Sequence, residues 1–292
     1  LATPTDWHKA LAMGVSCRLR SPGLTLAVAA SPAILEKLRG VYDHLIPERT
    51  DIRGFEHKLH LDEYSPFERT LFLDADMLVM RDVRPLMERW SGRVYMARGH
   101  YVSGGYSGFG LNRQRIQDML GRDDMVKIDG AGHAYFEKPA CHDVFQRARE
   151  IASKYSEYAP EARTLADEDV MDIVMTQMDL PPEDDGQIVG FLNGVDRRTL
   201  TLDTVSGVCK YIDQVGDRKR PILLHFARDT CPILYHREMR HVVGTLRQRT
   251  HVRWRVHGLR DWWKYEVAHR VKRTIKRCCQ PLVVSSKGAF TP

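Results

Sequence analysis

Residues 58–80, KLHLDEYSPFERTLFLDADMLVM, contain the strongest signal for the architecture of this chain. The apolar run LFL precedes Asp74 and Asp76, and the apolar run MLVM follows them. This pattern predicts a buried strand over residues 70–74 that ends at two carboxylates, where ligands of open α/β sheets bind. In extended chain, side chains at i and i+2 point to the same side, so the pair can share one divalent cation and leave positions for phosphate oxygens. The alternative interpretation is an acidic turn between strands.

The segments before residue 91 alternate between helical and strand patterns. Helices are predicted over residues 7–19, 32–40, 56–64 and 84–90, and strands over residues 24–30 and 70–74. Leu1-Ala2-Thr3 is expected to be the trailing end of an earlier strand, most of which would precede this chain. Such alternation predicts an α/β, Rossmann-like fold, with a mostly parallel sheet and helices on both faces.

The chain beyond residue 99 has longer loops. Its glycine-rich stretch GHYVSGGYSGFG does not match the dinucleotide pattern G-x-G-x-x-G in a strand-to-helix turn. Residues 128–140 are expected to form a polar loop, and loops of this length are usually functional. Further helices are predicted over residues 112–121, 142–157 and 167–178, and a buried strand over residues 221–226.

Composition excludes several classes of protein. With 292 residues, 43% of them hydrophobic, the chain has the balance of a folded globular protein rather than a disordered one. Its apolar runs are broken by charge or proline well short of a membrane-spanning length, which excludes a transmembrane helix. The 6 cysteines show no C-x-x-C and no regular spacing, and no secretory signal is visible. We therefore expect a reducing, cytoplasmic compartment.

Positive charge is concentrated near the C-terminus. The formal net charge is +6, yet residues 247–277 hold most of the excess of Lys and Arg, opposed there only by Asp261 and Glu266. Three tryptophans and a helical apolar period in the same segment predict that residues 236–292 form a basic amphipathic helical tail. Such a tail suits an anionic membrane surface, at the inner face of the membrane, while a helix packed on the body is the alternative. Nucleic acid is disfavoured because no recognition motif accompanies the charge.

The stretch around the Asp pair resembles the glycogenin-like, retaining family 8 glycosyltransferases, which are enzymes of the GT-A type. That family carries Lys-Leu-His sixteen residues before the first Asp, a basic residue before the strand, and then an apolar run with Asp-Ala-Asp. Lys58, Arg69, Asp74 and Asp76 match these positions. The resemblance implies that the Asp-x-Asp pair holds Mn²⁺ or Mg²⁺ on the diphosphate of a nucleotide-sugar.

Four further segments resemble the family in the same order. Leu1-Ala2-Thr3 with Trp7 resembles the strand end that holds the uracil and ribose, and Tyr106-Ser107-Gly108 resembles the Asn-Ser-Gly that faces the donor sugar. Asp167-Glu168 resembles an Asp-Gln whose side chains reach the transferring sugar. His225-Phe226 resembles the segment that supplies the third metal ligand. The phosphate-binding lysine of that segment is replaced by Cys231, and Arg228 is the candidate for its charge.

The resemblance implies a complete set of site residues. The metal ligands would be Asp74, Asp76 and His225; the nucleotide contacts Ala2, Thr3, Trp7 and Ala75; the donor sugar and phosphate contacts Lys58, Arg69, Ser107, Gly108 and Arg228; and the catalytic residues Asp167 and Glu168. Residues 1–235 would form the GT-A catalytic domain, with a nucleotide-sugar-binding half at about 1–112 and an acceptor half at about 113–235.

The expected activity is metal-dependent transfer of a sugar from a UDP-sugar to a hydroxyl of a glycan or lipid-linked acceptor, with retention, in envelope or cell-surface glycan synthesis. A glutamate at 168, where the family has glutamine, also allows a nucleophilic role and a covalent intermediate. Two alternatives stay open. One is a phosphatase of the haloacid dehalogenase type with Asp74 as nucleophile, and the other is a catalytically degenerate protein that binds a membrane or another anion through its tail.

Overall fold

A computed structural model describes residues 2–227 and 231–246, together with Leu259 and Trp263. The first part of the chain contains α1 (Trp7–Arg20), β1 (Ala27–Ala30), α2 (Pro32–Leu38), β2 (His44–Pro47), a 3₁₀ helix (Gly54–His60), α3 (Leu61–Tyr64), β3 (Arg69–Leu73), β4 (Met77–Val79) and α4 (Arg84–Arg89). The helices predicted in this part are confirmed, with a 3₁₀ turn beginning the third one.

The second part adds two smaller hairpins and the remaining helices. Its elements are β5 (Tyr95–Met96), β6 (Gly99–Val102), α5 (Arg113–Leu120), β7 (Met125–Ile128), β8 (His133–Glu137), α6 (Cys141–Ser153), α7 (Tyr155–Tyr158), α8 (Asp167–Gln177), β9 (Val189–Phe191), β10 (Thr201–Asp203), β11 (Val208–Ile212), β12 (Arg218–Lys219), β13 (Leu223–His225) and α9 (Pro232–Val243). The predicted mixed α/β class is confirmed.

Strand pairing is more antiparallel than the helix–strand alternation predicts. β1 pairs with β2 and β9 pairs with β13 in parallel. The other pairings among the named strands are antiparallel: β4–β13, β3–β8, β5–β8, β6–β7, β10–β11 and β11–β12. Two of these pairings arise because β8 and β13, which come later in the chain, run opposite to β3 and β4, beside which they lie.

The prediction of a loop over residues 128–140 is wrong for its second half. β8 lies inside that range and pairs with β3 along one edge and β5 along the other. Tyr135 and Phe136 in this strand are fully buried. A strand that is buried on both faces lacks the alternation by which a strand is recognised, and the glycines before it are typical of a loop. Residues 129–132, just before β8, do form a loop.

The folded body extends past the expected boundary between residues 235 and 236. α9 crosses that boundary and packs against α1, burying Tyr235, Met239 and Val242 in one core cluster. The apolar face of α9 explains this, since a helix with such a face is stable only when it is covered. The tail at 247–277 lies outside the described residues, except for Leu259 and Trp263, which are exposed. The division into halves near residue 112 stays a prediction.

Local capping agrees with the predicted ends of α5. The side chain of Asn112 accepts a hydrogen bond from the backbone N–H of Arg115, which satisfies a free donor of the first turn. Gly121 ends the helix in the left-handed conformation that glycine adopts without strain. Within the part of the chain that the structure describes, no helix is both long and apolar enough to cross a membrane.

Candidate active site

The two aspartates of the Asp-Ala-Asp segment lie in the connection between β3 and β4. This connection is a turn rather than extended chain, because the backbone N–H of Met77 donates to the carbonyl of Asp74 at 3.2 Å. The expectation of extended geometry is therefore wrong, although both carboxylates still reach one point. β3 and β4 are each held by pairing on a separate strand, which fixes the turn between them.

His225 reaches this point through strand register. β13 runs antiparallel to β4, with His225 opposite Met77, and the N–H of Phe226 donates to the carbonyl of Asp76 at 3.0 Å. The Nε2 atom of His225 lies 3.1 Å from a carboxylate oxygen of Asp76. One ligand atom from each of Asp74, Asp76 and His225 lies within 4.8 Å of the others. The predicted trio is thus brought together by elements far apart in sequence.

Lys58 connects this cluster to α8. Its Nζ atom lies 2.8 Å from Asp74 and 3.0 Å from Asp167, and it donates to the carbonyl of Ala131 at 3.1 Å. The side chain is only 15% exposed. Burial alone lowers the pKa of a lysine, but the two carboxylates outweigh it and raise the pKa of Lys58 above its usual value. Lys58 is therefore a permanent positive charge between the two carboxylates.

The two aspartates differ in their electrostatics. Burial raises the pKa of Asp74, and the nearby charge of Lys58 only partly opposes it. Burial also acts to raise the pKa of Asp76, but the hydrogen bond and charge of His225 outweigh it, so the pKa of Asp76 falls below its usual value. The two carboxylates together therefore favour a nearby cation, since their mutual repulsion and burial are relieved by positive charge.

The loop before β8 packs directly on the cluster and requires glycine. The carbonyl of Gly132 accepts a hydrogen bond from the N–H of Asp74 at 2.7 Å. A Cβ at Gly132 would lie 2.6 Å from the ring of His225, a distance that no side chain tolerates. Gly130 has a φ of +77°, and a Cβ there would touch both Phe191 and His225. The imidazole is thus held between this loop and Phe191, whose ring centroid lies 5.5 Å away.

The first turn of α8 carries three carboxylates with different partners. Asp167 is buried and paired with Lys58. Asp169 accepts hydrogen bonds from Tyr155 at 2.8 Å and from Ser107 at 2.9 Å. Glu168 is half-buried, and its pKa is raised by burial and then by the charges of Asp167 and Asp169. Glu168 is the one of the three that lines a cavity.

That cavity, which we term the substrate pocket, has a volume of ≈ 400 Å³ and is lined by Arg98, Lys127, Ile128, Asp129, Gly130, Glu168 and Phe191. Two of its lining residues, Gly130 and Phe191, also contact His225, so the pocket adjoins the Asp-Asp-His cluster. Charged side chains beside one aromatic ring can hydrogen-bond hydroxyls and cover an apolar face, as sugar recognition requires.

Three of the four predicted nucleotide contacts belong to the core cluster that includes Ala75, the residue between Asp74 and Asp76. Ala2, Trp7 and Ala75 belong to one packed cluster. Thr3 is exposed and donates to a carboxylate oxygen of Asp6 at 2.9 Å. The ring of Trp7 is half-buried at the start of α1, with the ammonium of a lysine, Lys37, 4.8 Å from its centroid.

Arg69 is not brought to the cluster, whereas Ser107 and Gly108 stay predicted contacts of the donor sugar. Arg69 begins β3, and Asp74 follows its other end, so the strand separates the two residues by roughly 15 Å. The side chain of Arg69 is 46% exposed and lies 3.5 Å from Glu88. Ser107 is occupied by Asp169, and its hydroxyl accepts from the N–H groups of residues 109–111. Gly108 has no neighbour within 4 Å of an added Cβ. Arg228 lies outside the described residues.

Several site residues were not identified from the sequence. They are Lys9, Arg98, Gly130, Gly132, His133 and Phe191. Lys9 is buried in α1, and its charge contributes to lowering the pKa of Asp76. His133 accepts a hydrogen bond from the backbone N–H of Arg98, and burial lowers its pKa to about 3. The only sequence signal for the two glycines is their spacing next to Asp129, a pattern that is also typical of an ordinary loop.

The donor set fits a divalent cation. Carboxylate oxygens suit Mg²⁺ and Mn²⁺, and the imidazole nitrogen favours Mn²⁺, because Mg²⁺ is held chiefly by oxygen. Among the described residues, Nδ1 of His225 is buried without a hydrogen-bond partner. A cation between Asp74, Asp76 and His225 would compensate the two buried carboxylates.

No family model matches the sequence, and no curated protein matches it either. Solved structures do share the fold. The galactosyltransferase LgtC in complex with donor and acceptor sugar analogues is 15% identical, with 88% of this chain and 98% of that chain covered and a TM-score of 0.55. An active-site mutant of LgtC, with glutamate in place of a glutamine, is 16% identical to this chain. The match covers 88% of this chain and 98% of that chain, with a TM-score of 0.54. The bifunctional glycosyltransferase WbbM is 10% identical, with 89% of this chain but 50% of that chain covered and a TM-score of 0.54.

Proposed function

We propose that this chain, whose fold is that of GT-A glycosyltransferases such as LgtC, is a metal-dependent glycosyltransferase. The donor would be a UDP-sugar, and the acceptor a hydroxyl of a glycan or lipid-linked sugar. The observation that carries this proposal is the convergence of Asp74, Asp76 and His225 within 4.8 Å at the end of a sheet strand. The substrate pocket beside these residues has the size and lining for a sugar.

The chain's own residues would divide the work of binding the donor. Asp74, Asp76 and His225 would hold Mn²⁺, which when bound neutralises charge that develops on the diphosphate leaving group. Lys58 holds Asp74 and Asp167 in place through its two ion pairs. Trp7 and Ala75 lie on the side where a uridine would be held, and Lys9 adds positive charge there.

Glu168 is the favoured catalytic residue on the sugar side. Asp167 is occupied by Lys58 and Asp169 by Ser107 and Tyr155, whereas Glu168 faces the substrate pocket. Its raised pKa indicates a carboxylate that would be stabilised by a positive charge developing on the sugar. Asp167, also predicted to be catalytic, would then act mainly by holding Lys58.

Two routes to retention are compatible with Glu168. In the first, its carboxylate stabilises an oxocarbenium-like sugar as the phosphate oxygen leaves. The acceptor oxygen bonds to the anomeric carbon from the same face, and its proton passes to the departing phosphate oxygen. In the second, the carboxylate displaces UDP to form a glycosyl-enzyme, and the acceptor oxygen then displaces the carboxylate. One of the LgtC structures is an active-site mutant with glutamate in place of glutamine, and the resemblance implies glutamine where this chain has Glu168. The first route is favoured, because the glutamine that the resemblance implies at this position could stabilise charge but could not act as a carboxylate nucleophile.

The alternatives receive less support. The likeness of most of the chain to glycosyltransferase structures favours sugar transfer over a phosphatase of the haloacid dehalogenase type. The intact geometry around Asp74, Asp76 and His225 argues against a degenerate body. Docking of residues 247–277 on an anionic membrane and a role in envelope glycans rest on the sequence pattern of the tail, and a cytoplasmic location rests on the cysteine pattern.

The proposal is tested by thermal shift with a panel of nucleotides and nucleotide-sugars, with and without Mn²⁺. A ligand that binds only the native state raises the apparent melting temperature by mass action. We expect a Mn²⁺-dependent rise with UDP and with one UDP-sugar, and its loss in Asp76→Asn. The matched control is Asp179→Asn, an exposed aspartate paired with Arg122 at the surface, which should respond like the wild type.

Turnover is then measured as release of UDP from the UDP-sugar identified by that panel. Mn²⁺-dependent release that is lost in Asp76→Asn and kept in Asp179→Asn would support transfer chemistry. If neither UDP nor any UDP-sugar shifts the melting temperature with Mn²⁺ present, the proposal fails.

A further inference from the structure

One face of the β6–β7 hairpin forms a wall of the substrate pocket. His100 lies opposite Lys127 in the antiparallel register. Arg98 and Asp129 form the next pair, since the N–H of Asp129 donates to the carbonyl of Arg98 at 2.9 Å. Opposite residues, and alternate residues of one strand, point to the same side, so the four side chains share one face, which we term the basic face. Three of them, Arg98, Lys127 and Asp129, line the pocket.

The basic face holds more positive charge than its single carboxylate neutralises. One oxygen of Asp129 lies 3.4 Å from the guanidinium of Arg98 and 3.5 Å from the imidazole of His100. The other oxygen lies 3.9 Å from the ammonium of Lys127. Arg98 and Lys127 thus place two permanent positive charges beside one negative charge. Glu168 lines the same pocket from α8, but among the described residues it forms no ion pair with either cation.

The cations of the basic face have donors that the described residues leave free. Nε of Arg98 is buried without a hydrogen-bond partner in the part of the chain that the structure describes, and the whole side chain is only 16% exposed. The distance of 3.9 Å between Lys127 and Asp129 exceeds that of a hydrogen bond. A largely buried guanidinium without its hydrogen bonds is costly, so Arg98 favours an anionic ligand in the pocket.

A carboxylate is the anion that fits this face. It carries one negative charge, which equals the positive charge in excess on the basic face, whereas a phosphate monoester carries about 1.5 to 2. The planar guanidinium of Arg98 can donate two parallel hydrogen bonds to a carboxylate. Lys127, whose side chain is 36% exposed, adds a point charge from the neighbouring strand.

The position of the basic face identifies the sugar that would carry this carboxylate. Asp129 is followed directly by Gly130, which packs against the ring of His225. Glu168, the favoured catalytic residue, lines the same pocket. A sugar between Glu168 and a diphosphate held at the Asp-Asp-His cluster is the donor sugar, because that sugar is attached to the diphosphate.

We propose that the donor is the UDP derivative of a hexuronic acid, and that the basic face recognises its carboxylate, with Arg98 as the residue that determines specificity. The inference rests on the proposed sugar transfer and names the substrate class of the same pocket. A neutral hexose would leave the guanidinium of Arg98 without a partner, and a site that lacks the expected polar group of its ligand discriminates strongly against that ligand.

The test is calorimetric titration of the protein with Mn²⁺ present, using UDP, UDP-glucose, UDP-glucuronate, UDP-galactose and UDP-galacturonate. We expect one of the two uronates to bind at least about tenfold more tightly than the hexose from which it differs only at the carboxylate. This preference should decrease as the salt concentration is raised, because salt screens charge pairs that are partly exposed.

Variants of the basic face then identify the residues responsible. Arg98→Gln should reduce the preference for the uronate to about threefold or less and leave the affinity for UDP unchanged. Lys127→Gln, at a more exposed position where folding is not at risk, should reduce it by roughly threefold. The matched control is Arg122→Gln, at an arginine paired with Asp179 on the surface, which should keep the full preference. Since the preference compares two ligands on one protein, partial unfolding of a variant affects both affinities alike.

The outcomes separate this inference from the proposed function. Equal affinity of wild type for hexose and hexuronate donors would overturn the inference alone, and so would an unchanged preference in both Arg98→Gln and Lys127→Gln. If Arg98→Gln weakens UDP as much as the UDP-uronate, the basic face holds the diphosphate and the inference is wrong. Failure of wild type to bind UDP at all would overturn the proposed function and this inference together.

Discussion

Replacement of Lys58 by methionine should expose how strongly the site depends on positive charge. Methionine keeps most of the length and apolar volume of the stem, so the change removes mainly the ammonium. That ammonium lies 2.8 Å from Asp74 and 3.0 Å from Asp167, in a side chain that is 15% exposed. Without it, two largely buried carboxylates have no counter-charge from this side.

The expected cost follows from the burial of the pair. Loss of one partner from a buried ion pair destabilises a protein by about 3–5 kcal/mol, because the remaining charge stays desolvated. For a chain of this size that lowers the melting temperature by roughly 6–20 °C. The cost also depends on pH. A carboxylate without Lys58 has a raised pKa in the folded state, so the folded protein binds more protons than the unfolded chain, and the variant loses stability relative to wild type as pH rises from 5 to 8.

Urea unfolding at pH 5 and pH 8, with and without Mn²⁺, measures these effects. Mn²⁺ should stabilise Lys58→Met more than the wild type, because the cation supplies the missing charge next to Asp74. Lys154→Met, at an exposed lysine, is the control and should change stability little. If Lys58→Met unfolds at the same urea concentration as wild type at pH 8 without metal, the assignment of Lys58 as the counter-charge is refuted.

Three further changes test other parts of the site. Gly132→Ala should weaken Mn²⁺ binding at least tenfold, because its Cβ would meet the ring of His225 at 2.6 Å, whereas Gly108→Ala, with open space around its Cβ, should bind Mn²⁺ like wild type in a titration. Glu168→Gln should keep turnover within about tenfold if the carboxylate acts by electrostatics, and complete loss with donor binding intact would favour the nucleophile. His133→Gln should be less sensitive to acid than wild type. The folded protein holds His133 neutral, with a pKa of about 3, while the unfolded chain takes up a proton below about pH 6.5, so stability is lost as pH falls, by about 1.4 kcal/mol per pH unit. Chemical denaturation between pH 7 and pH 4.5 measures it, and identical pH profiles of the two proteins would contradict the burial of this imidazole.

Much of the fold and the metal ligands could be predicted from sequence because their signals are local. The apolar runs on both sides of Asp74 and Asp76 placed the pair at a strand end, and α1 and α8 follow from helical periodicity. His225 was identified only by resemblance, since a histidine at the end of an apolar strand is more often a core residue. Its role becomes visible when β13 is placed beside β4.

The parts that sequence did not predict depend on contacts between distant segments. Gly130 and Gly132 matter because they approach His225, and no local pattern encodes that approach. The resemblance implies a site role for Arg69, yet the direction of β3 places it at the opposite end of the strand from Asp74. Ser107 stays a predicted donor contact, and its hydrogen bond to Asp169 becomes visible only when α8 is packed beside it.

The antiparallel register of β4 and β13 has a kinetic consequence. It joins His225 to Asp76 from distant parts of the sequence, so the three metal ligands assemble only when this long-range contact has formed. Closure of such a long loop carries an entropic cost that late steps of folding overcome. A cation that needs all three ligands therefore has little to bind in the folding transition state. Mn²⁺ should leave the refolding rate unchanged and slow unfolding, because the ion stabilises the native state and not the folding transition state.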